Sequence, residues 1–437
     1  MAGEWVTGTL GDIADLIMGQ SPTGETCNEN GKGTPLLNGP TEFGGNHPRP
    51  VQYTTDPRKF AEPGDLLFCV RGSTTGRMNW ADQRYAIGRG LAAIRPKQGN
   101  EYRHFVRAVI DANLPRLLAS ATGSTFPNVS REQIREIECN LPPLAEQTAL
   151  AAVRGALDDK IELNRRMNAT LEAMARALFQ SWFVDFDPVR AKLDGRPPAA
   201  LAPATAALFP DSFQDSPLGH IPTGWETSTI GAKLQTALGG TPSRAKPEFW
   251  TDGTVAWINS GKTNEFRIIE PSEWITKEAL ENSATKLLPR RTTVLAITGA
   301  TLGQVSITEI ECCANQSVVA ILASEQFPTE FIYPWIEENI EKLIASQTGG
   351  AQQHINKGNV EELALLCPES RIVAAYQTKA KPLFDQISAN CFQSRTLATL
   401  RDTLLPKLLS GELSVMDEGR QIERATLWKP QLAPPTS

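Results

Sequence analysis

Two short loops bracketed by glycine are the first places where this sequence could do chemistry. Gly72 and Gly76 enclose three hydroxyl-bearing residues and are followed by Arg77. Gly299 and Gly303 enclose a similar loop later in the chain. Glycine-rich loops cradle phosphates when they end in the motif G-x-x-x-x-G-K-[ST], and neither loop has that ending. A tight turn is therefore the favoured interpretation of both.

The remaining polar clusters do not complete a reaction centre. The run Asp158-Asp159-Lys160 resembles a nuclease fragment, but it falls on a predicted long helix, where exposed charge is the favoured interpretation. Residues 140–143 (NLPP) do not fit the Asn-Pro-Pro-aromatic signature of amino-methyltransferases. No H-E-x-x-H motif or glycine-rich cofactor fingerprint is present. The four histidines are too dispersed to predict a metal site: His47, His104, His220 and His354. These absences together predict a protein without a catalytic set.

The bulk composition is that of a globular protein with several domains. The chain has 437 residues, of which 41% are hydrophobic and 21% are charged, enough for two or three cores. No stretch approaches the roughly 20 apolar residues that span a bilayer, and the first residues lack the pattern of a signal peptide. The seven cysteines form no C-x-x-C pair. We therefore expect a cytoplasmic protein with reduced thiols and no membrane association.

The charge distribution leaves two interpretations open. The net charge is -6, which argues weakly against a nucleic-acid partner. However, residues 58–116 contain eleven Lys and Arg against five Asp and Glu. Such a local excess is typical either of a solvated face or of a patch that follows a phosphate backbone. The charge alone does not decide between them.

An internal repeat organises the chain. Eight positions that are apolar or Asn have counterparts 226 residues later. They are Leu150, Leu157, Ile161, Asn164, Leu171, Met174, Leu178 and Trp182, matched by Tyr376, Leu383, Ile387, Asn390, Leu397, Leu400, Leu404 and Leu408. The openings of the two units, at Trp5 and Trp225, are 220 residues apart. A duplication of this size predicts two similar working ends.

Each repeat begins with a mixed α/β unit. An apolar run that predicts a strand leads into each glycine loop, at residues 63–70 and 290–297. A further apolar run then leads to an amphipathic helix, and long loops rich in Gly, Pro and Asn separate these segments. We therefore expect an irregular sheet with a helix packed against it in both repeats.

Each repeat ends in a long helix with a narrow apolar seam, which is typical of a coiled coil. Gly155 and Pro382 predict a break near the start of each, leaving main helices at 156–184 and 382–410 of about 42 Å. Because two units alternate with two helices, antiparallel pairing about a pseudo-twofold axis is expected. Asn164 and Asn390 occupy equivalent seam positions, either buried so as to fix the register or at a wet edge.

Several segments resemble the specificity (S) subunit of type I restriction–modification systems. They are residues 63–67 (PGDLL), 178–188 (LFQSWFVDFDP), 206–213 (AALFPDSF), 218–225 (LGHIPTGW), 352–356 (QQHIN) and 404–413 (LLPKLLSGEL). The resemblance covers nearly the whole chain. It implies an α+β fold with two similar α/β target recognition domains, joined by two long antiparallel helices that form a coiled coil, and a pseudo-twofold internal repeat.

The domain boundaries expected from this resemblance follow the repeat. They are a first target recognition domain at 1–143, a first conserved helical region at 144–186, an extended Pro/Ala-rich crossover at 187–218, a second target recognition domain at 219–371, a second conserved helical region at 372–413 and a C-terminal tail at 414–437.

The resemblance also implies a function without catalysis in this chain. Each recognition domain would read one half of a bipartite double-stranded DNA target, and the helices would set the spacer. Two modification (M) subunits would bind S-adenosylmethionine and methylate adenine N6. Restriction (R) subunits would use ATP and Mg for translocation and cleavage. No cofactor and no metal are expected in the chain itself.

The candidate residues divide into DNA contacts and helix pairing. Loop residues of types that hydrogen-bond to base edges are Arg71, Ser73, Thr74, Thr75, Arg77, Arg84, Arg89, Thr122, Ser124 and Thr125 in the first domain, and Ser260, Lys262, Thr298, Thr301, Gln304, Gln352, Gln353 and His354 in the second. The expected pairing residues are Leu157, Ile161, Asn164, Leu171, Leu178, Trp182, Leu383, Ile387, Asn390, Leu397, Leu404 and Leu408.

Rival interpretations come from other classes of protein. A fused methyltransferase–nuclease that lacks its catalytic half would be an enzyme, and methyl transfer by the purified chain would reveal it. A duplicated-domain scaffold, or a methyltransferase-associated protein without direct DNA readout, would share the repeat but not bind DNA specifically. A methyltransferase gene beside this one would favour the specificity subunit.

Overall fold

A computed structural model describes residues 5–121, 127–345 and 355–414. The chain forms two compact units. Unit 1 comprises residues 1–163 and 394–437, and unit 2 comprises residues 164–393. Both long helices therefore contribute one half to each unit. The tail after residue 414, expected as a separate segment, lies outside the described residues.

Unit 1 is built from eleven strands and three helices besides the long ones in its described residues. The strands are β1 (Val6–Thr9), β2 (Ala14–Met18), β3 (Cys27–Asn28), β4 (Thr34–Leu37), β5 (Gln52–Thr54), β6 (Phe60–Ala61), β7 (Leu66–Cys69), β8 (Met78–Trp80), β9 (Tyr85–Ile87), β10 (Leu91–Pro96) and β11 (Glu138–Leu141). The helices are α1 (Leu10–Ile13), α2 (Arg103–Ala119) and α3 (Arg131–Arg135), and the long α4 (Leu144–Phe183) begins here.

Unit 2 contains the crossover elements and a second set of strands and helices. After α4 come α5 (Asp187–Leu193), α6 (Pro203–Ala206), α7 (Ile230–Lys233), α8 (Lys277–Glu281), α9 (Thr329–Ala345), α10 (Lys357–Glu362) and the long α11 (Ser370–Leu409). The strands are β12 (Phe213–Ser216), β13 (Gly219–Pro222), β14 (Glu226–Thr229), β15 (Thr236–Leu238), β16 (Val255–Ile258), β17 (Glu273–Ile275), β18 (Thr293–Ala296), β19 (Val305–Ile307), β20 (Cys313–Ala314), β21 (Val318–Ile321) and β22 (Ala364–Cys367).

The central sheets of the two units have the same topology. Unit 1 has the antiparallel order β2-β10-β7-β8, and unit 2 has β15-β21-β18-β19. A two-stranded pair closes each unit, β1 with β11 and β14 with β22. The second sheets differ: unit 1 has five strands in the order β3-β5-β4-β9-β6, and unit 2 has three in the order β17-β16-β20. The duplicated part is therefore the central sheet and its helices.

Alternation along the central strands divides each unit into two cores. In β7, Leu66 and Phe68 pack in the cluster that contains α2 residues, whereas Leu67 and Cys69 pack toward the second sheet. Successive side chains of a strand point to opposite faces, so a strand buried on both faces is apolar at every position. The same division recurs in unit 2, where β18 and β21 supply both clusters.

Both long helices are continuous, so the predicted breaks at Gly155 and Pro382 are wrong. Each helix has 40 residues, or about 60 Å of α-helix. Gly155 allows close approach instead, because a Cβ there would lie 3.1 Å from the ring of His104. Pro382 is exposed, while Ala380 and Phe384 beside it are buried. Tertiary packing of that face outweighs the backbone hydrogen bond that proline lacks.

The long helices pair antiparallel within each unit, as the repeat predicts. In unit 1, Leu150 of α4 shares a core with Leu408 of α11, and Asp158 binds Arg401. In unit 2, Asn168 binds Asn390, and Trp182 packs on Tyr376. In both units the α11 partners move toward the N-terminus of α11 as α4 proceeds.

The crossover differs from the extended segment that was expected. It contains α5 and α6, followed by the strand pair β12 and β13. Pro188 and Pro203 stand in the first turns of the two helices, where proline removes no helical hydrogen bond and its φ angle suits the helix. Two of the prolines in the crossover therefore mark helix starts, and the others lie between its helices and strands.

Candidate nucleic-acid interface

The glycine loops form the same turn in both units. In unit 1 the loop connects β7 to β8, and the Gly76 N–H donates to Cys69 O (2.9 Å). In unit 2 the loop connects β18 to β19, and the Gly303 N–H donates to Ala296 O (2.9 Å). The bracketing glycines all have positive φ angles between 71° and 94°, which strain residues with a Cβ. The interpretation of both loops as tight turns agrees with this geometry.

Each glycine loop is held by two further segments. The Val70 N–H donates to Gly90 O, and the Val129 N–H donates to Val70 O. In unit 2 the Ile297 N–H donates to Ser317 O, and the Ile355 N–H donates to Ile297 O. The frame around each loop is thus made of backbone and is the same in both units. Side chains on the frame can differ without changing it.

Most of the unit 1 candidates lie on or beside this frame. Arg71, Ser73 and Arg77 are exposed on the glycine loop, and Arg89 is exposed on the adjoining segment. Among the described residues, the guanidinium groups of these three arginines form no ion pair. A guanidinium group that forms no ion pair can donate two parallel hydrogen bonds to a phosphate or to the edge of a guanine.

Three unit 1 candidates have structural contacts instead. The Thr75 hydroxyl donates to Gly72 O (2.7 Å) and Pro127 O (2.9 Å), and therefore it closes the turn. Arg84 packs over the Phe60 ring at 3.8 Å and pairs with Glu62 at 3.1 Å. Thr74 is half-buried, 3.7 Å from the Cys69 thiol. The structure supports DNA contact least for these residues.

The unit 2 candidates occupy two adjacent turns. Thr298, Thr301 and Gln304 lie on the glycine loop, where the Thr301 hydroxyl donates to Thr298 O (3.4 Å) and Gln304 is exposed. Ser260 and Lys262 lie on a short 3-10 helix, Ser260–Asn264, that contacts this loop. Lys262 is paired with Glu265 at 2.6 Å. Because this pair neutralises its charge, Lys262 is the weaker of the two candidates.

Six candidates lie outside the described residues. They are Thr122, Ser124, Thr125, Gln352, Gln353 and His354.

None of the twelve helix-pairing candidates is exposed. Asn164, Trp182, Ile387, Asn390 and Leu408 are buried. The other seven are half-buried: Leu157, Ile161, Leu171, Leu178, Leu383, Leu397 and Leu404. The Asn164 amide donates to Gln393 Oε1 (2.9 Å), and the Asn390 amide donates to Asn168 Oδ1 (2.9 Å). Of the two interpretations of the seam asparagines, the buried one agrees with the structure.

An ion network around the buried Arg154 joins the long helices to the recognition domain in unit 1. Arg154 of α4 lies 2.6 Å from Asp111 of α2 and 3.3 Å from Asp158. Asp158 also accepts a hydrogen bond from Arg401 of α11 (2.8 Å). Burial lowers the pKa of Arg154, and the two carboxylates oppose that shift. The interpretation of the 158–160 run as exposed helix charge agrees with Asp159, which is exposed, but not with Asp158, which is half-buried and paired with two arginines.

His104 completes this network. Its ring packs on Trp80 with centroids 5.3 Å apart, and its Nδ1 lies 3.9 Å from Asp158. Burial lowers the pKa of His104, and the adjacent Arg103 guanidinium lowers it further. A neutral imidazole is therefore favoured at this junction of the domain with α4.

The described part of the chain contains neither a metal-ligand cluster nor a helix suited to crossing a membrane. There, no group of three or more His, Cys, Asp and Glu side chains is placed to hold a metal ion. None of the helices described combines the length and the apolar composition that a bilayer crossing needs.

Comparison with known families identifies the repeated unit. The profile described as "Type I restriction modification DNA specificity domain" matches residues 2–173 and again residues 222–389. The chain belongs to this family. The two matches coincide with the two repeats, and they confirm the resemblance found in the sequence. The expected fold class, with two similar recognition domains and two long helices, is confirmed.

Relatives within the family span most of their own length in the match. The HindI specificity subunit of Haemophilus influenzae is 25% identical over 404 residues, which cover 82% of this chain and 88% of that protein. The MjaIX specificity subunit of Methanocaldococcus jannaschii is 26% identical over 357 residues, covering 80% and 78%. The family membership supports a non-catalytic role for this chain.

A solved structure has the same fold. The S subunit of a type I restriction–modification system from M. genitalium is 16% identical, with a TM-score of 0.57 over 93% of this chain and 96% of that one. At this identity the likeness concerns the fold alone.

A third segment of the frame, residues 19–21 in unit 1 and 239–241 in unit 2, was not predicted from the sequence. The Gly19 N–H donates to Leu91 O (2.9 Å), and the Gly239 N–H donates to Val318 O (3.0 Å). These bonds bring Ser21 and Thr241 beside the segments that follow β9 and β20. The signal was available, because the offset of 220 that aligns the two opening tryptophans also aligns these glycines.

Proposed function

We propose that this chain is the DNA-reading subunit of a type I restriction–modification complex. Each recognition domain reads one half of a bipartite double-stranded target, and the paired helices set the spacer. The observation that carries the proposal is the duplicated backbone frame with different polar side chains in its two copies. A common scaffold with different hydrogen-bonding groups is what recognition of two unlike half-sites requires.

The partners follow from the same family membership. Two M subunits bind the chain, hold S-adenosylmethionine and methylate adenine N6. R subunits that use ATP and Mg join the assembly, and the complex works in the cytoplasm. The names of the relatives, which are specificity subunits of type I restriction enzymes, support these partner kinds.

The modest charge of the chain fits a shared grip on DNA. Affinity for a phosphate backbone scales with the number of phosphates neutralised, and a net charge of -6 limits what this chain supplies alone. The exposed arginines of unit 1 provide local contacts. Bound M subunits would provide the remainder.

The proposal is tested by binding and methylation. The purified chain, alone and with its M subunit, is titrated against genomic fragments, and methylated adenines are mapped in cells with and without the gene. We expect weak binding by the chain alone, specific binding by the complex, and one bipartite methylated sequence that depends on the gene. Tight, sequence-independent binding by the chain alone would contradict the proposal. An unchanged methylation map would favour a scaffold without direct readout.

A further inference from the structure

The segment that follows β9 in unit 1 and the segment that follows β20 in unit 2 each place one side chain at an equivalent point. Arg89 precedes Gly90, whose carbonyl accepts the Val70 N–H. Gln316 precedes Ser317, whose carbonyl accepts the Ile297 N–H. The two residues therefore stand at the same step of the duplicated frame. Both side chains are exposed.

The backbone beneath these residues is constrained alike. A Cβ on Gly19 would lie 2.1 Å from Gly88 O, and a Cβ on Gly239 would lie 2.1 Å from Asn315 O. Only glycine permits so close an approach of two backbones. The two frames thus hold positions 89 and 316 in the same way, and what differs is the side chain presented.

Two positions after Gly19 and Gly239 stands a hydroxyl residue, which contacts Arg89 in unit 1 and Gln316 in unit 2. In unit 1, Ser21 Oγ accepts the Arg89 N–H (3.2 Å), so it holds the backbone and leaves the guanidinium available. In unit 2, the Thr241 hydroxyl donates to Gln316 Oε1. An amide oxygen has two lone pairs. Oε1 therefore keeps one acceptor site while Thr241 fixes the orientation of the amide.

We infer that positions 89 and 316 are equivalent base-reading positions, with Arg89 contacting a guanine in one half-site and Gln316 an adenine in the other. The inference rests on the proposed function. Arginine matches the O6 and N7 acceptors of guanine, and glutamine matches the N6 donor and N7 acceptor of adenine. Thr241 is a positioning residue for the Gln316 amide.

The comparison of the two units favours base edges over phosphates. Arg89 by itself would suit either ligand, because guanidinium groups bind phosphates well. Gln316 is neutral, so it releases no counterion from DNA. The equivalent position holds arginine in one unit and glutamine in the other. Base edges in the major groove present hydrogen-bonding groups that suit each of these side chains.

The test exchanges the two side chains in the full complex with its M subunit. Adenine methylation is mapped in cells that carry the wild-type chain, Arg89→Gln, Gln316→Arg or Thr241→Val. Arg89→Gln is expected to change one G·C pair of one half-site to A·T. Gln316→Arg is expected to change one A·T pair of the other half-site to G·C. In each case the preference for the original base falls about 10-fold or more, and the other half-site is unchanged.

Thr241→Val separates positioning from folding. It is expected to weaken the preference for adenine at the Gln316 position without creating a preference for guanine. Arg135→Gln and Gln235→Arg are matched controls, because both residues are exposed and lie away from the frame: Arg135 of α3 packs beside Gly11, which precedes β2, and Gln235 immediately precedes β15. Both controls are expected to keep the wild-type target.

The outcomes distinguish this inference from the proposed function. If the wild-type complex methylates no bipartite sequence, the proposed function fails. If it does, but Arg89→Gln and Gln316→Arg keep both half-sites, the base-reading inference fails alone. A uniform loss of methylation at all sequences with Arg89→Gln would assign that side chain to a phosphate and would also overturn the inference.

Discussion

Arg267 and Glu172 form a buried ion pair in unit 2, with Nη2 2.8 Å from Oε2. The Arg267 side chain is fully buried, and its guanidinium lies over the rings of Tyr333 and Phe384 at 4.9 Å and 5.4 Å. Glu172 belongs to α4, whereas Arg267 follows the 3-10 helix Ser260–Asn264 beside the glycine loop. The pair therefore connects the helix to the candidate interface of the same unit.

Removal of one partner of this pair should destabilise unit 2. Glu172→Gln leaves a buried guanidinium without its counter-charge, which costs about 3–5 kcal/mol. Chemical denaturation, followed by circular dichroism, measures the change in the free energy of unfolding. The matched control is Glu273→Gln in the exposed pair with Arg244, expected to cost at most about 1 kcal/mol. Equal losses in both variants would contradict a special role for the buried pair.

Protonation of His104 should weaken unit 1 in mild acid. Burial, reinforced by Arg103, lowers the pKa of His104 below its unfolded value, which is about 6.5. The unfolded state therefore binds this proton first, and stability falls as the pH drops below about 6.5 toward the folded pKa.

The difference between variants isolates this contribution. His104→Gln is expected to flatten the wild-type decline in unfolding free energy between about pH 7 and pH 5, as measured by denaturant titration at each pH. His220→Gln, at an exposed side chain, is the matched control and is expected to follow the wild-type curve. A decline that persists unchanged in His104→Gln would show that other groups cause it.

The asparagines at the helix seam should set pairing more than stability. Asn390→Ala leaves the buried amide of Asn168 without its 2.9 Å partner, at a cost of about 1–3 kcal/mol. Replacement of both Asn168 and Asn390 by Leu should recover much of that loss, because two apolar side chains leave no buried polar atom without a partner. Denaturation of Asn168→Leu, Asn390→Leu and the double variant gives the coupling free energy between the two positions. Lys379→Ala, at an exposed position on α11, is the control and is expected to change the unfolding free energy little. If the losses of the two single variants simply add in the double variant, the expected coupling is contradicted.

Lengthening both helices should lengthen the spacer of the DNA target. Insertion of seven residues in phase after Arg166 in α4 and at the equivalent position after Phe392 in α11 adds about 10 Å to each, or about three base pairs. These sites keep Asn164 with Gln393, and Asn168 with Asn390, on the same side of both insertions. Mapped methylation sites are expected to keep both half-sites and gain the longer spacer. A changed half-site with the original spacer would rule out the helices as a ruler. Insertion into one helix alone is the control, and it is expected to abolish specific methylation.

The sequence determined the features that depend on local pattern and on duplication. The seam predicted two paired helices, and the apolar runs predicted the strands that enter the glycine loops, because burial of one face imposes a period on the residues that form it. The repeat predicted two similar domains. The missing catalytic motifs predicted a non-catalytic subunit.

The tertiary structure decided which distant residues meet. The local sequence around Pro382 predicts a helix break, yet the burial of Ala380 and Phe384 keeps α11 continuous. The local pattern predicts exposed charge at Asp158, yet this residue is half-buried and pairs with Arg154 and Arg401. Thr241 and Gln316 come together only because β15 pairs with β21. Strand pairing over long separations leaves little periodic signal in either segment, so the sequence by itself does not specify such contacts.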